Sequence, residues 1–200
     1  MSAASVLSLL RSNPVSAAGT YGFIVEYDPT AFPHYLGGKC TLGIKKANDN
    51  VYVIKASRGT GDYFFPYTHL GGSAGRCQVP DTVPNGTLVL TGGMNGCALQ
   101  VNDYPGYKIF YHDANGTQLA TEGALGGTVD CRVTYKDYEG PLKMGQVLAS
   151  ATNPYSFQTL ISVKVNGRWQ VVHTGILRSV SNKYSTYNST VTPLLTSFAG

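Results

Sequence analysis

Two hundred residues suffice for one sizeable core and are too few for two large catalytic domains. With 42% hydrophobic and 13% charged residues the chain is neither a disordered tail nor a long charged helix, and its net charge of +4 is scattered, with Lys45-Lys46 as the tightest basic run and no stripe for nucleic acid. The 24 Gly, 10 Pro and 14 Tyr favour short strands and tight turns, so the expected fold is mainly β of α+β class.

Apolar residues at Val6, Leu7, Leu9 and Leu10 predict a short helix capped by Ser2 and stopped by Asn13-Pro14. Residues 21–27, 40–46 and 51–56 read as strands, the last two joined by Asn48-Asp49-Asn50. From 58 to 84 the periodicity is lost, and the stretch reads as an irregular excursion anchored by the aromatic run from Tyr63 to Tyr67. Strands resume at 87–90, 97–101 and 108–111, with turns at Asn95-Gly96 and Tyr104-Pro105-Gly106, and again at 126–135. Residues 142–149 read as a strand or one helical turn. Asn166-Gly167, between strands at 157–165 and 168–173, is a strong hairpin signal. Strands without intervening helices predict an antiparallel β-sandwich-like single domain over residues 1–200, with few short helices.

The first ten residues lack a basic n-region and resemble an amphipathic helix more than a secretory signal, and no run approaches a membrane span of about 20 apolar residues. Cys40, Cys77, Cys97 and Cys131 are widely separated, with no CxxC pair, and are expected to be free thiols. His34 and His69 stand before Cys40 and Cys77 at spacings that match no structural zinc pattern, so no metal is expected.

A cysteine nucleophile needs a base, donors for the oxyanion and a bend that exposes its sulfur. The segment from Thr91 through Gly92-Gly93-Met94-Asn95-Gly96 to Cys97 supplies the bend, because its glycines reach conformations closed to other residues. Fifteen residues on, the second strand of a hairpin returns to His112, where it would face Cys97. The competing reading makes Cys97 a small core hydrophobe and His112 a strand-end surface residue. Asp113 lies next to His112 and so points to the opposite face, which places it poorly as a triad acid. Asp103 and Asp130 are candidate third members of a triad, with turn and strand-end roles as the competing reading, and His173 reads as a half-exposed structural residue.

Thr91, Gly96-Cys97 and His112 resemble, in order and spacing, the Thr, Gly-Cys and His of bacterial glutamine deamidases built on the cytotoxic necrotizing factor scaffold, a group that includes the Burkholderia lethal factor and the chemoreceptor deamidase. The resemblance covers residues 87–113, and Met94-Asn95 stand where the toxins commonly show Leu-Ser. It implies Cys97 as nucleophile, His112 as base, Thr91 orienting the imidazole, and an oxyanion site near Gly96 with help from Asn95. It further implies a toxin or effector that deamidates a glutamine of a host protein through a thioester. Such a chain would work as a monomer without cofactor, nucleic acid or membrane partner, and would reach the host cytosol, secreted or injected, without a classical signal peptide. An amine in place of water would give transglutamination. The alternatives are a cysteine peptidase using the same pair and a catalytically silent β-sandwich binding module.

Overall fold

A computed structural model of the chain describes residues 1–32, 35–67, 74–121, 125–138, 155–178, 184–186 and 193–200. His34, His69 and the segment 142–149 lie outside the described residues. Ser2 caps α1 (Ala3–Ser12), its hydroxyl accepting the Ser5 amide at 3.2 Å. Asn13-Pro14 ends this helix as expected but also starts a second, α2 (Pro14–Thr20). A proline at the first helical position loses no intrahelical bond, and Asn13 Oδ1 accepts the Ser16 amide at 3.1 Å.

The strands are β1 (Gly22–Tyr27), β2 (Gly38–Asn48), β3 (Val51–Arg58), β4 (Asp62–Phe65), β5 (Gly75–Pro80), β6 (Leu88–Thr91), β7 (Ala98–Tyr104), β8 (Tyr107–Asp113), β9 (Thr128–Val133), β10 (Tyr155–Val165), β11 (Arg168–Arg178), β12 (Tyr184–Thr186) and β13 (Leu194–Ala199). Two short helices, α3 (Gln118–Thr121) and α4 (Tyr135–Tyr138), flank β9. The larger sheet runs β1-β3-β2-β4-β6-β10-β11-β12, with β13 also on β11, and the smaller runs β5-β8-β7-β9. The fold is thus mainly β and sandwich-like. Most pairs are antiparallel, but β1·β3 and β4·β6 are parallel, so the larger sheet is mixed. The final hairpin turns through Asn166 (φ 52) and Gly167 (φ 74), the positive φ values that a two-residue turn of this kind requires.

The stretch 58–84, read from sequence as irregular, holds two strands, β4 and β5. Every residue of β4 and β6 is buried, which removes the alternation that marks a half-exposed strand. The burial is two-sided. Tyr63, Phe65, Val89, Leu160, Trp169 and Val171 pack toward the smaller sheet, against Val79, Leu99, Val101, Phe110 and Val133. Phe64, Leu88, Leu90, Ile161 and Val163 pack in the other direction, with Val6 and Leu10 of α1. Arg11 fastens that helix: its guanidinium binds both oxygens of buried Asp62 at 2.7 and 2.6 Å and reaches Gly86 O at 2.7 Å. The same carboxylate accepts the Leu88 amide at 2.9 Å, so α1, β4 and β6 share one bidentate pair. Among the described residues no helix is long and apolar enough to cross a membrane.

Candidate active site

The hairpin β7–β8 pairs Leu99 with His112 and Ala98 with Asp113. Cys97 packs with Leu99 and Val101 in the core between the sheets, so it stands diagonally across the hairpin from His112, on the same face. Diagonal neighbours have backbones about 7–8 Å apart, within reach of long or aromatic side chains. The Tyr67 ring lies 4.9 Å from the imidazole, and burial raises the pKa of its phenol.

Strand β6 supplies the third group. Thr91 lies opposite Phe65 in the parallel pair, and its hydroxyl donates to Phe65 O at 2.8 Å. The same oxygen is 2.7 Å from His112 Nδ1. A hydroxyl has one proton, and this one is committed to the carbonyl, so Thr91 accepts from Nδ1–H. The neutral imidazole is thereby fixed with its lone pair on Nε2, the form a general base requires. Nε2 is buried and has no hydrogen-bond partner. His112 is fully buried, not a surface residue, and burial pushes it down to about 3. Phe65 stands edge-on to the ring, and Gly75, paired with His112, leaves room for Pro66: a Cβ at Gly75 would lie 1.6 Å from Pro66 O.

The approach to Cys97 is a tight turn. Cys97 N–H reaches Met94 O at 3.3 Å, and Gly96, third in the turn, has φ +84, a value strained for any side chain. The turn is pinned from below by residues distant in sequence. Met94 N–H donates to Gln158 O at 2.9 Å, and Asn95 Oδ1 accepts the Gln158 amide at 3.0 Å, so the Asn95 side-chain oxygen serves the turn. Tyr138 Oη donates to Met94 O and lies 2.6 Å from Cys97 O. His173, buried and not half-exposed as read from sequence, donates from Nε2 to Gln158 Oε1, and its ring lies tilted 5.6 Å from that of Tyr138. Burial pushes its pKa down to about 4.

Cys97 is 3% exposed, and its thiol points to Asn95 O at 3.9 Å. Burial raises its pKa, the backbone amide of Asn115 lowers it by hydrogen bonding, and Asp113 raises it by charge; the net is upward. Thiol and imidazole are therefore both neutral at rest. Cys40, Cys77 and Cys131 are also buried free thiols. Asp113 faces away from His112, as strand alternation requires, and pairs with Arg132 at 2.8 Å. Asp103 and Asp130 both bind buried Lys108, each at 2.6 Å, and belong to the far end of the hairpin. Among the described residues no group of three or more His, Cys, Asp or Glu could hold a metal ion.

Thr91 and His112 are thus in hydrogen-bond contact, whereas Cys97, after the Gly96 turn, shares their side of the sheet but makes no hydrogen bond to Nε2, and His112 lies opposite Leu99 rather than Cys97. Sequence reasoning missed Tyr138 and Gln158, which act from 41 or more residues away in sequence, and the burial of His173. No known protein family matches the chain, and no curated protein matches it.

Proposed function

We propose that the chain is a cysteine-dependent protein-glutamine deamidase of the cytotoxic necrotizing factor type, acting as a bacterial toxin or effector on a host protein. One observation carries the reading: a buried imidazole, held by Thr91 in the Nδ1–H tautomer, keeps an unpartnered Nε2 lone pair on the face that also carries Cys97. A histidine that serves packing alone gains nothing from leaving that acceptor unsatisfied.

In the reaction, Nε2 takes the Cys97 thiol proton and the sulfur attacks the carboxamide carbon of a glutamine side chain. Amides near Gly96 and Cys97 meet the oxyanion that forms. The tetrahedral adduct collapses, breaking the C–N bond, and the proton on Nε2 leaves with the nitrogen as ammonia. Nε2 then takes a proton from water, whose oxygen attacks the thioester carbon, and the thiolate departs and recovers that proton. The product is glutamate.

The near-complete burial of Cys97 also favours a second reading, a catalytically silent β-sandwich module in which the thiol only fills the core. Incubation with a eukaryotic cell extract separates them. Peptide mapping should find glutamines converted to glutamate, each about one dalton heavier, with the wild type and none with Cys97→Ser. Identical maps from the two proteins would eliminate the deamidase.

A further inference from the structure

The positive excess of the chain falls on one hairpin. Residues 38–58, β2 and β3 with their turn, hold Lys39, Lys45, Lys46, Lys55 and Arg58 against Asp49 alone, and the rest of the chain carries as many acidic as basic residues, so the net +4 is all here. Cys40, Leu42, Ile44, Tyr52, Ile54 and Ala56 turn toward the core that holds α1, so Lys39, Lys45 and Lys55 share the opposite face. Arg11, Lys108 and Arg132 elsewhere are matched to carboxylates at 2.6 to 2.8 Å. The hairpin has only long, exposed pairs, Lys45 with Glu26 and Lys46 with Asp49, each at 3.9 Å, which neutralise little. Glu26, opposite Lys55 in the β1–β3 register, offsets part of the charge.

Where β2 begins, this charge borders a cleft of about 530 Å³ lined by Phe32, Tyr35, Leu36, Lys39 and Arg58 among others. Backbone bonds hold its wall to β5: Gly37 N–H donates to Arg76 O at 2.7 Å and Arg76 N–H to Tyr35 O at 2.8 Å, with the Arg76 guanidinium 5.2 Å over the Tyr35 ring. Arg58 Nε donates to Ala31 O at 2.9 Å, and Gly37 is pressed so closely on β4 that a Cβ there would lie 2.1 Å from Phe64 O. Leu36 is nevertheless 56% exposed. The same two strands lead to the candidate active site, since Phe65 O accepts the Thr91 hydroxyl and Gly75 pairs with His112.

We propose that this cleft and the basic face of β2 and β3 form the docking surface for the protein substrate, and that the docked segment is acidic with an apolar side chain at its centre. The apolar side chain covers Leu36, and the flanking carboxylates meet Lys39, Arg58 and Lys55. Calling the partner a substrate rests on the deamidase reading; the surface itself makes no use of Cys97. Complementary charge of this kind selects the partner and speeds its approach. A nucleic acid would need rings free to stack between the cations, and Tyr35 already carries Arg76.

The test is an NMR titration with a synthetic peptide in which one leucine is flanked on both sides by glutamates. In the wild type the peptide should move the amide signals of residues 36–39 and 55–59, and its Kd should rise with salt, which screens exposed charges. Lys39→Glu and Leu36→Ser, both at exposed positions, should each weaken binding about tenfold. Cys97→Ser should bind as the wild type does. Shifts confined to other residues, a Kd that neither surface variant changes, or tighter binding at this surface by an oligodeoxynucleotide or by phosphatidylserine vesicles would overturn the proposal. Peptide binding needs no catalysis, so a surface that binds while no glutamine in a cell extract is converted removes only the word substrate. A Leu36→Ser, Lys39→Glu double variant that no longer binds the peptide yet deamidates at the wild-type rate overturns the docking role and leaves the deamidase standing.

Discussion

Acid should weaken this fold through two histidines buried in neutral form. His112 is held down to about 3 and His173 to about 4 by burial, against an ordinary value of 6.5. Below pH 6.5 the unfolded chain takes up a proton at each that the folded chain refuses, so stability falls with pH until the folded values are reached. Each site costs about 1.4 kcal/mol per pH unit in that window. Between about pH 7.5 and about pH 5 the loss is about 2 kcal/mol per histidine and about 4 kcal/mol for both. That is a large share of a typical domain stability of about 5–15 kcal/mol. Urea unfolding across this pH range measures it, and His112→Gln and His173→Gln should each reduce the slope by about 1.4 kcal/mol per pH unit. Because only the difference between variant and wild type is read, other titrating groups cancel. Equal slopes in wild type and variants, or an imidazole that titrates near its ordinary value in the folded protein, would refute the buried neutral state and with it the fixed tautomer of His112.

Cys97→Ser keeps the side-chain volume but exchanges the thiol for a hydroxyl that a neutral imidazole activates poorly; ammonia release should fall by several orders of magnitude with little change in melting temperature. His112→Ala should cost nearly as much activity, because nucleophile and base act as a unit. Thr91→Val leaves Nδ1–H and Phe65 O without a partner, so urea unfolding should show a loss of about 2–4 kcal/mol and turnover should drop, while Thr91→Ser restores both. Tyr138→Phe removes the hydroxyl that ties Met94 O and Cys97 O, and should cost about 1–2 kcal/mol together with part of the rate. Gly75→Ala drives a methyl into Pro66 O and should destabilise by about 3 kcal/mol or abolish folding, read by melting.

Local signals carried far in this chain where the structure they encode is itself local. The Ser2 cap and the Asn166-Gly167 hairpin each depend on a few consecutive residues, and each is where the pattern puts it. The hidden elements depend on distant partners. Strand β4 pairs in parallel with β6 and is buried on both faces, so neither a hairpin signal nor alternation marks it. Pro14 reads as a stop because the stopping effect and the starting effect of proline share one residue, and the Asn13 cap decides for both. The burial of His112 is equally non-local, since Phe65, Tyr67 and Gly75 cover it from two other strands and a loop.

On the proposed deamidase mechanism, the electrostatics of the site constrain where catalytic power would reside. A preformed thiolate–imidazolium pair needs a low thiol pKa and a high imidazole pKa, and here burial moves both the wrong way. Proton transfer from Cys97 to His112 is therefore uphill in the resting protein. What lowers the cost must arrive with the reaction: Thr91 strengthens its bond as Nδ1–H becomes part of an imidazolium, and its hydroxyl is itself held by the Phe65 carbonyl. That stabilisation grows only as charge develops, which is the condition under which fixed dipoles accelerate a step instead of merely binding its reactants. A neutral resting pair also leaves Cys97 little prone to stray oxidation or alkylation, because those reactions consume thiolate.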